Sequence, residues 1–379
     1  MNKTNIAIIG GGLSGLYTAL LLEQRGITDY VLFESRQQLG GRIQTLAAND
    51  NEAEISSLNQ FDLGSTWYWP ELQPAFARLI DNLGLTSFPQ YEQGDLLIEL
   101  SRETAPSRGA GMQNYVKSRR LQGGMAALVN AIARQIPQQK ILFGHHLITA
   151  SASADSMQLQ FLRGNGSLEQ WQTQKLLLAA PPRLLEDTVE FNPELPAHIR
   201  HQWRATPTWM APHAKYVAMY DTPFWRQDGL SGSARSSVGP MVEIHDASMP
   251  GGKAALFGFI GIPATVRQQY PEGELLQYCR TQLTHLFGSE ALTATFDAIK
   301  DWALDPLTAT TADLSSQGEH PSPAIATIDS GTWKHKLFGV GSEWSSNYTG
   351  YLAGCIEAAE TAVDSIQAQI KIAITDLHP

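Results

Sequence analysis

The chain of 379 residues contains only two cysteines, Cys279 and Cys355. Two thiols that far apart supply neither a disulfide framework nor a zinc site. Charged residues make up only 17% of the chain, and its lysines and arginines nowhere cluster, which argues against a nucleic-acid surface. The net charge of −10 is spread along the sequence without an acidic block. No apolar run approaches the roughly 18 residues needed to cross a bilayer. Internal repeats and low-complexity tracts are absent too. Gly10, Gly11, Gly12 and Gly15 interrupt the apolar start, and no small-residue cleavage site follows. Residues 1–22 therefore read as mature structure, and the expectation is a cytoplasmic protein. What remains is an ordinary globular balance with 43% apolar residues, ample for a large core in two or three domains.

Ile6-Ala7-Ile8-Ile9 is a short apolar run ended by glycines, the pattern of a buried parallel strand. Leu13, Leu16, Tyr17, Leu20 and Leu21 then recur at helical spacing, with Gly26 as the stop. Tyr30-Val31-Leu32-Phe33 is a second buried strand, completing a βαβ unit. Residues 71–120 are expected to hold one or two helices and a polar stretch around Ser101–Gly111. Short helices and strands follow over 121–190, among them the run Lys175–Ala180 stopped by Pro181-Pro182. Ala214–Tyr220, Met241–His245 and Ala254–Ile260 read as strands of an antiparallel sheet. Leu275, Leu276, Cys279, Leu283 and Leu286 form a helical stripe. The chain closes on a long helix with apolar positions Leu352, Ile356, Ala359, Val363, Ile366 and Ile370.

Gly10-Gly11-Gly12-Leu13-Ser14-Gly15 fits G-x-G-x-x-G between a strand and a helix, and Glu34 ends the next strand about twenty residues on. Gly10 permits the tight turn, Gly12 lets backbone approach a pyrophosphate, and Gly15 lets helix and strand pack closely. The helix N-terminus offers free N–H groups and partial positive charge to phosphates. Glu34 can accept hydrogen bonds from ribose hydroxyls. The pattern indicates a dinucleotide without separating FAD from NAD.

Further motifs carry a resemblance that does separate them. Leu39-Gly40-Gly41-Arg42, with the first motif, resembles the glutathione-reductase-type FAD domain, where this glycine doublet and arginine lie beside the diphosphate. Phe61-Asp62-Leu63-Gly64-Ser65-Thr66-Trp67 is similar to the stretch that lines the isoalloxazine. Gly339-Val340-Gly341-Ser342-Glu343, followed by Thr349-Gly350-Tyr351 and a helix, resembles the ending of the flavin monoamine oxidase family. Leu121-Gln122-Gly123-Gly124-Met125 and Ala180-Pro181-Pro182-Arg183 match further turns of that family. Leu147 matches a residue that meets the adenine side through its backbone. Ala214-Lys215-Tyr216-Val217, upstream of Phe224-Trp225, matches the strand of its active-site lysine. The resemblance implies non-covalent FAD held by Gly10, Gly12, Leu13, Ser14, Gly15, Glu34, Gly40, Gly41, Arg42, Gly64, Ser65, Thr66, Trp67, Leu147, Glu343, Tyr351 and Leu352. It also implies catalytic roles for Lys215, Tyr351 and Trp302.

Bland readings stand beside these. A lone lysine alternating with apolar residues on a strand is ordinarily outward and solvated. Tyr351, Trp67 and Trp69 could be core aromatics, and Cys355 a small core residue. His198-Ile199-Arg200-His201 has metal-like spacing but no third ligand, so solvated surface is expected and no metal. The chain also departs from the resembling family. Ala303–Asp313 lacks the cysteine to which many animal monoamine oxidases attach FAD, and Thr310, Thr311 and Ala312 stand where a second cage tyrosine is expected. The helical cap, 71–120, is short, which leaves a homodimer open.

The expected fold class is α/β (α+β overall). A discontinuous Rossmann-like FAD-binding domain covers 1–70, 121–205 and 303–379. A substrate domain of antiparallel sheet plus helices covers 71–120 and 206–302. The implied activity is oxidation of a small-molecule amine by hydride transfer to flavin N5, with O2 reoxidation giving H2O2 and neither nucleic acid nor membrane as partner. A renalase-like or desaturase-type oxidase of another donor, and a flavin-binding protein without turnover, stay open as alternatives.

Overall fold

The computed structural model describes residues 1–47, 57–111, 115–315 and 320–377. The chain divides into two compact units. The first comprises Met1–Arg42, Val129–Trp209 and Glu319–Pro379; the second comprises Ile43–Leu128 and Met210–Gly318.

The first unit is built on a parallel sheet whose order is Ile141–Phe143, Tyr30–Glu34, Ile6–Ile9, Lys175–Leu178, Leu337–Gly339. Every residue of Ile6–Ile9 is buried, as a central parallel strand covered on both faces must be. The connecting helix Leu13–Gln24 buries every residue from Leu13 to Leu22. It packs against the closing helix Leu352–Leu377, with Tyr17 Oη donating to Glu360 Oε1 at 2.9 Å and Arg25 paired to Asp364 at 2.5 Å. Gly26, at φ +71°, ends it as expected. A second sheet runs Asn2–Lys3, Leu168–Thr173, Met157–Arg163, His145–Ala152, Glu190–Asn192. Phe33, Leu147, Phe161, Leu176 and Trp203 are among the residues of this unit's core.

The second unit is a seven-stranded sheet in the order Phe296–Asp301, Ala214–Tyr220, Ala254–Ile260, Met241–Asp246, Leu230–Ser236, Asp95–Glu99, Ser107–Gly109. Its pairs are antiparallel except for Leu230–Ser236 beside Asp95–Glu99. The expected strands are all present, and the helix Glu272–Phe287 covers one face through Leu275, Cys279, Leu283 and Leu286. The other face carries Phe61, Leu63, Val217, Met219, Ala255 and Phe257.

Residues 71–120 hold one described helix, Pro74–Asn82, within the expected one or two, together with strands that were not expected, two of which extend the large sheet. Leu96, Leu97 and Ile98 are paired against neighbouring strands, so main-chain hydrogen bonding rather than helical periodicity decides this segment. The compact units are also drawn elsewhere than the expected domains, since 43–70, 121–128 and 303–318 fall in the second unit. Local pairing accounts for it: Thr45–Ala47 pairs with Gln60–Asp62, and Trp302 Nε1 donates to Leu63 O at 3.2 Å. Tyr351 immediately precedes the closing helix, which starts at Leu352.

Candidate active site

The glycine turn of the first unit has the geometry that a dinucleotide requires. Gly10 sits at φ +111°, and a Cβ on Gly15 would lie 1.9 Å from Gly10 O, so no side chain fits between helix and strand. Gly12, in extended backbone, is different: a Cβ there would meet only Gly40 and Gly41, at 3.7 Å or more. Close packing therefore demands glycine at Gly15, while the surroundings of Gly12 stay open for a ligand. The helix beginning at Leu13 has no side-chain cap, which leaves its first N–H groups, with that of buried Ser14 among them, for an anion. Gly40, at φ +115°, donates its N–H to Gly11 O at 2.9 Å and bridges Gly12, which brings the second glycine doublet, Gly40-Gly41, against the first.

Glu34 ends its strand buried, with Oε2 accepting from Gly11 N at 2.6 Å and Oε1 from Arg36 N at 2.8 Å. A carboxylate has about four acceptor positions, so capacity for ribose hydroxyls remains. Arg42 makes a two-pronged pair with fully buried Glu343, at 2.6 and 3.0 Å, and donates to Trp209 O at 3.0 Å. Two residues expected to hold the cofactor thus hold each other, with Ser342 Oγ 3.4 Å from Arg42 Nη2. Leu147 is buried core, and its strand bulges between Leu147 and Thr149, where the ladder is interrupted. These residues fit the adenosine diphosphate half of FAD: an open glycine turn, an uncapped helix end, and a ribose-ready carboxylate on one unit.

Tyr351 is partly exposed and lies in a parallel stack that sequence reasoning missed. Its ring is 4.3 Å from that of His320, and His320 is 3.7 Å from Trp209 on the same unit. His320 Nδ1 also donates to Thr349 O at 3.0 Å. Gly350, at φ +83°, is required here: a Cβ would meet Trp209 Cβ at 3.1 Å and His320 Nδ1 at 3.2 Å. Leu352, half-buried, opens the helix that follows. No local pattern links Trp209, His320 and Tyr351 in sequence; only the tertiary fold does.

In the second unit Lys215 is wholly buried, which removes the solvated-strand reading. Its Nζ donates to Gly64 O at 3.2 Å and to Thr66 Oγ1 at 2.5 Å, and lies 4.0 Å from the centre of the Phe257 ring. Burial pulls its pKa from 10.5 to about 7; Asp62 attracts the ammonium and Arg120 repels it. Burial pushes the Asp62 carboxyl upward, against the pull of Lys215. The stretch Gly64–Trp67 is thereby tied to the lysine. Trp67 Nε1 donates to Gln90 Oε1 at 2.7 Å, and its ring meets His245 and Phe257 at 4.9 and 5.3 Å. Trp302, given a catalytic role by resemblance, is 1% exposed and anchors this stretch through Leu63 O. Thr310 donates twice to buried Asp313, so the segment expected to lack a cage tyrosine is a closed turn. His198 and His201 are exposed on the helix Ala197–Ala205. Both cysteines are buried free thiols.

Residues 91–367 match the family described as "Flavin containing amine oxidoreductase". The chain belongs to the flavin-containing amine oxidoreductase family. Residues 8–83 match the "NAD(P)-binding Rossmann-like domain" as well. This amine oxidoreductase is 22% identical over 461 residues to "Probable flavin-containing monoamine oxidase A" of Dictyostelium discoideum, covering 93% of this chain and 95% of that one. It is 25% identical over 198 residues to "Putrescine oxidase" of Kocuria rosea, covering 48% and 39% of the two chains. Among solved structures, cyclohexylamine oxidase from Brevibacterium oxydans IH-35A superposes with a TM-score of 0.78 at 17% identity, covering 97% of this chain and 99% of that one. A putrescine oxidase bound to putrescine gives a TM-score of 0.75 at 18% identity, covering 96% and 99%. At these identities the structural likeness speaks for the fold. The enzyme is an FAD-dependent amine oxidoreductase with a Rossmann-like cofactor domain.

Proposed function

We propose that this enzyme oxidises a small amine at the carbon next to a neutral nitrogen and passes the electrons to O2. When bound, FAD would supply the redox chemistry as the two-electron acceptor of the hydride from the amine's α-C–H. The chain supplies the rest. Gly12, the end of the helix at Leu13, and Glu34 hold the adenosine diphosphate half. Tyr351 offers an aromatic face to the substrate, kept in orientation by the stack beneath it. Lys215 serves the oxygen half-reaction, where a donor in a dry site stabilises charge developing on oxygen.

The observation that carries this reading is Lys215 itself: a lysine with no exposure, held by Gly64 O and Thr66 Oγ1, is a costly feature without a chemical use. Relatives named for monoamines and for putrescine make both monoamines and diamines reasonable substrates to test. The experiment is anaerobic bleaching of the flavin with monoamines, putrescine, longer polyamines and amino acids, followed by admission of air. Amine-dependent bleaching and one H2O2 per reduced flavin are expected. Bleaching by a non-amine C–H donor alone would move the reading to a renalase-like oxidase. No bleaching by any donor would leave a flavin-binding protein without turnover.

A further inference from the structure

Asp62 divides its carboxylate between two tasks. Oδ1 accepts from Met125 N at 2.8 Å and from Thr45 Oγ1 at 3.3 Å, which fixes the turn before helix Ala126–Ala133. A Cβ on Gly124 would lie 2.6 Å from that oxygen, so the turn closes tightly over it. Oδ2 is buried and accepts no hydrogen bond from any described residue. The carboxyl group as a whole is under the electrostatic influence of Lys215 and Arg120, while its hydrogen bonds go to Thr45 and Met125. A turn needs only one of the two oxygens. An aspartate kept ionised for structure alone would have both satisfied, because an unpaired buried acceptor costs free energy.

The charges around this oxygen can be counted. Arg120 is 1% exposed, with Nη1 on Ser248 O at 3.2 Å and Nη2 on Ala247 O at 2.7 Å, while its Nε has no partner among the described residues. Asp246, fully buried, takes Arg226 at 2.8 Å and the indole of Trp225 at 2.9 Å. With Asp62 ionised, the two carboxylates offset the two guanidiniums and a proton on Lys215 is one positive charge more, so that proton is contested between a carboxyl that burial pushes upward and a lysine that burial pushes downward. Other groups facing the lysine are few. Lys300, its register partner on the neighbouring strand, turns to Asp305 at 3.2 Å. Phe257 and Phe259 are uncharged, and Glu243 and His245 stand one strand further on, paired to each other at 2.6 Å. Among these groups Asp62 is the carboxylate that attracts the Lys215 ammonium.

We propose that Asp62 is the positioning residue of Lys215, its second oxygen setting whether the lysine is an ammonium or an amine at working pH, with Arg120 as the opposing control. This rests on the reading that Lys215 serves the oxygen half-reaction, and it extends that reading from one residue to a buried trio. Two substitutions act with opposite sign. Asp62→Asn removes the attraction and leaves an acceptor for Met125 N, so the lysine loses its proton at lower pH. Arg120→Gln removes the repulsion, leaves Asp62 in its turn, and keeps a donor for Ala247 O, so the lysine keeps its proton to higher pH.

The test uses FAD-loaded enzyme and measures reoxidation by O2 from pH 5 to 10. Asp62→Asn should move the lysine-dependent inflection down by about one pH unit or more, the scale expected of an opposite charge nearby. Arg120→Gln should move it up. In the Lys215→Met background neither change should alter the profile. An unmoved inflection in both variants, or shifts that survive in Lys215→Met, would overturn the proposal and leave Asp62 as a turn anchor. A second readout needs no turnover: urea stability of the FAD-saturated protein against pH. Its rise from Lys215 deprotonation should begin at lower pH in Asp62→Asn and at higher pH in Arg120→Gln. If reoxidation ignores Lys215 but these windows shift, the oxygen role fails and the trio stands. If the windows do not shift, the trio fails.

Discussion

Replacing Lys215 with methionine should change how stability depends on pH, because burial lowers the lysine's proton affinity in the folded protein. In the folded protein burial holds the lysine near pKa 7; its ordinary value is 10.5. Between those values the unfolded chain binds a proton that the folded protein does not, so stability rises with pH. Below about pH 7 both states hold the proton, and the cost of the buried ammonium is fully present. Above about pH 10.5 neither holds it and the cost is gone. A tenfold change in proton affinity is worth about 1.4 kcal/mol, so the rise across this window amounts to roughly 5 kcal/mol. Methionine has similar length, no charge and no proton, so Lys215→Met should flatten the rise. Losing the donors to Gly64 O and Thr66 Oγ1 costs about 1–3 kcal/mol at every pH, which shifts the whole curve without changing its slope. Urea midpoints of FAD-saturated wild type and variant from pH 6 to 10 are the assay. Parallel curves through that range would refute the reasoning, because they would mean that Lys215 titrates as an exposed lysine does.

The other predictions concern cofactor and substrate. Glu34→Ala should weaken FAD retention by roughly 1.5–3 kcal/mol, the worth of a hydrogen bond to a charged group, read by titration of apoprotein with FAD; unchanged affinity would remove Glu34 from the ribose. Gly15→Ala places a Cβ against Gly10 O and should cost about 1–3 kcal/mol of stability together with a loss of FAD binding, measured by thermal melting and flavin content. Tyr351→Ala should slow anaerobic flavin reduction by the best amine while FAD content holds; equal rates would separate this ring from the substrate. FAD should leave the protein on acid or heat denaturation, since Cys279 and Cys355 are both buried free thiols and Ala303–Asp313 contains no cysteine.

Much of the cofactor half is readable in order along the chain, because its parts are close in sequence. The Gly10–Gly15 turn, the strand ending in Glu34 and the Gly40-Gly41 doublet lie within one short stretch, and local backbone geometry determines them. The Trp209–His320–Tyr351 stack could not be read this way. Its members come from a helix-to-strand connection, a loop and the approach to the last helix, and stacking leaves no periodic mark. The strands within 71–120 went unread for a related reason. Leu96-Leu97-Ile98 is a short apolar run that suits helix or strand equally, and only pairing with Ala234 and Arg235 decides. Resemblance gave Trp302 a part in the chemistry; in the fold it is buried, with Nε1 on Leu63 O beside the stretch that Lys215 touches.

The strand Ala214–Tyr220 shows why the bland reading of Lys215 was reasonable and why it fails. Alternation on a half-solvated sheet puts a lysine outside, and an apolar–Lys–apolar pattern is what such a strand looks like. Here every residue of the strand is buried, because the helix Glu272–Phe287 covers one face and the Phe61–Phe257 cluster the other. The register then sets Lys215 directly opposite Lys300. Two ammonium groups so placed would repel, and like charges directly across a sheet destabilise it. The conflict is lifted by unequal environments. Lys300 lies near the Trp302 ring at 4.6 Å and pairs with Asp305, so its charge is accommodated. Lys215 has desolvation and Arg120 against its proton and only the offset charge of Asp62 in favour, so near neutral pH it can be the uncharged member of the pair. It is burial, with Arg120 against the proton, that lowers the proton affinity of Lys215, the group the oxygen half-reaction is proposed to use.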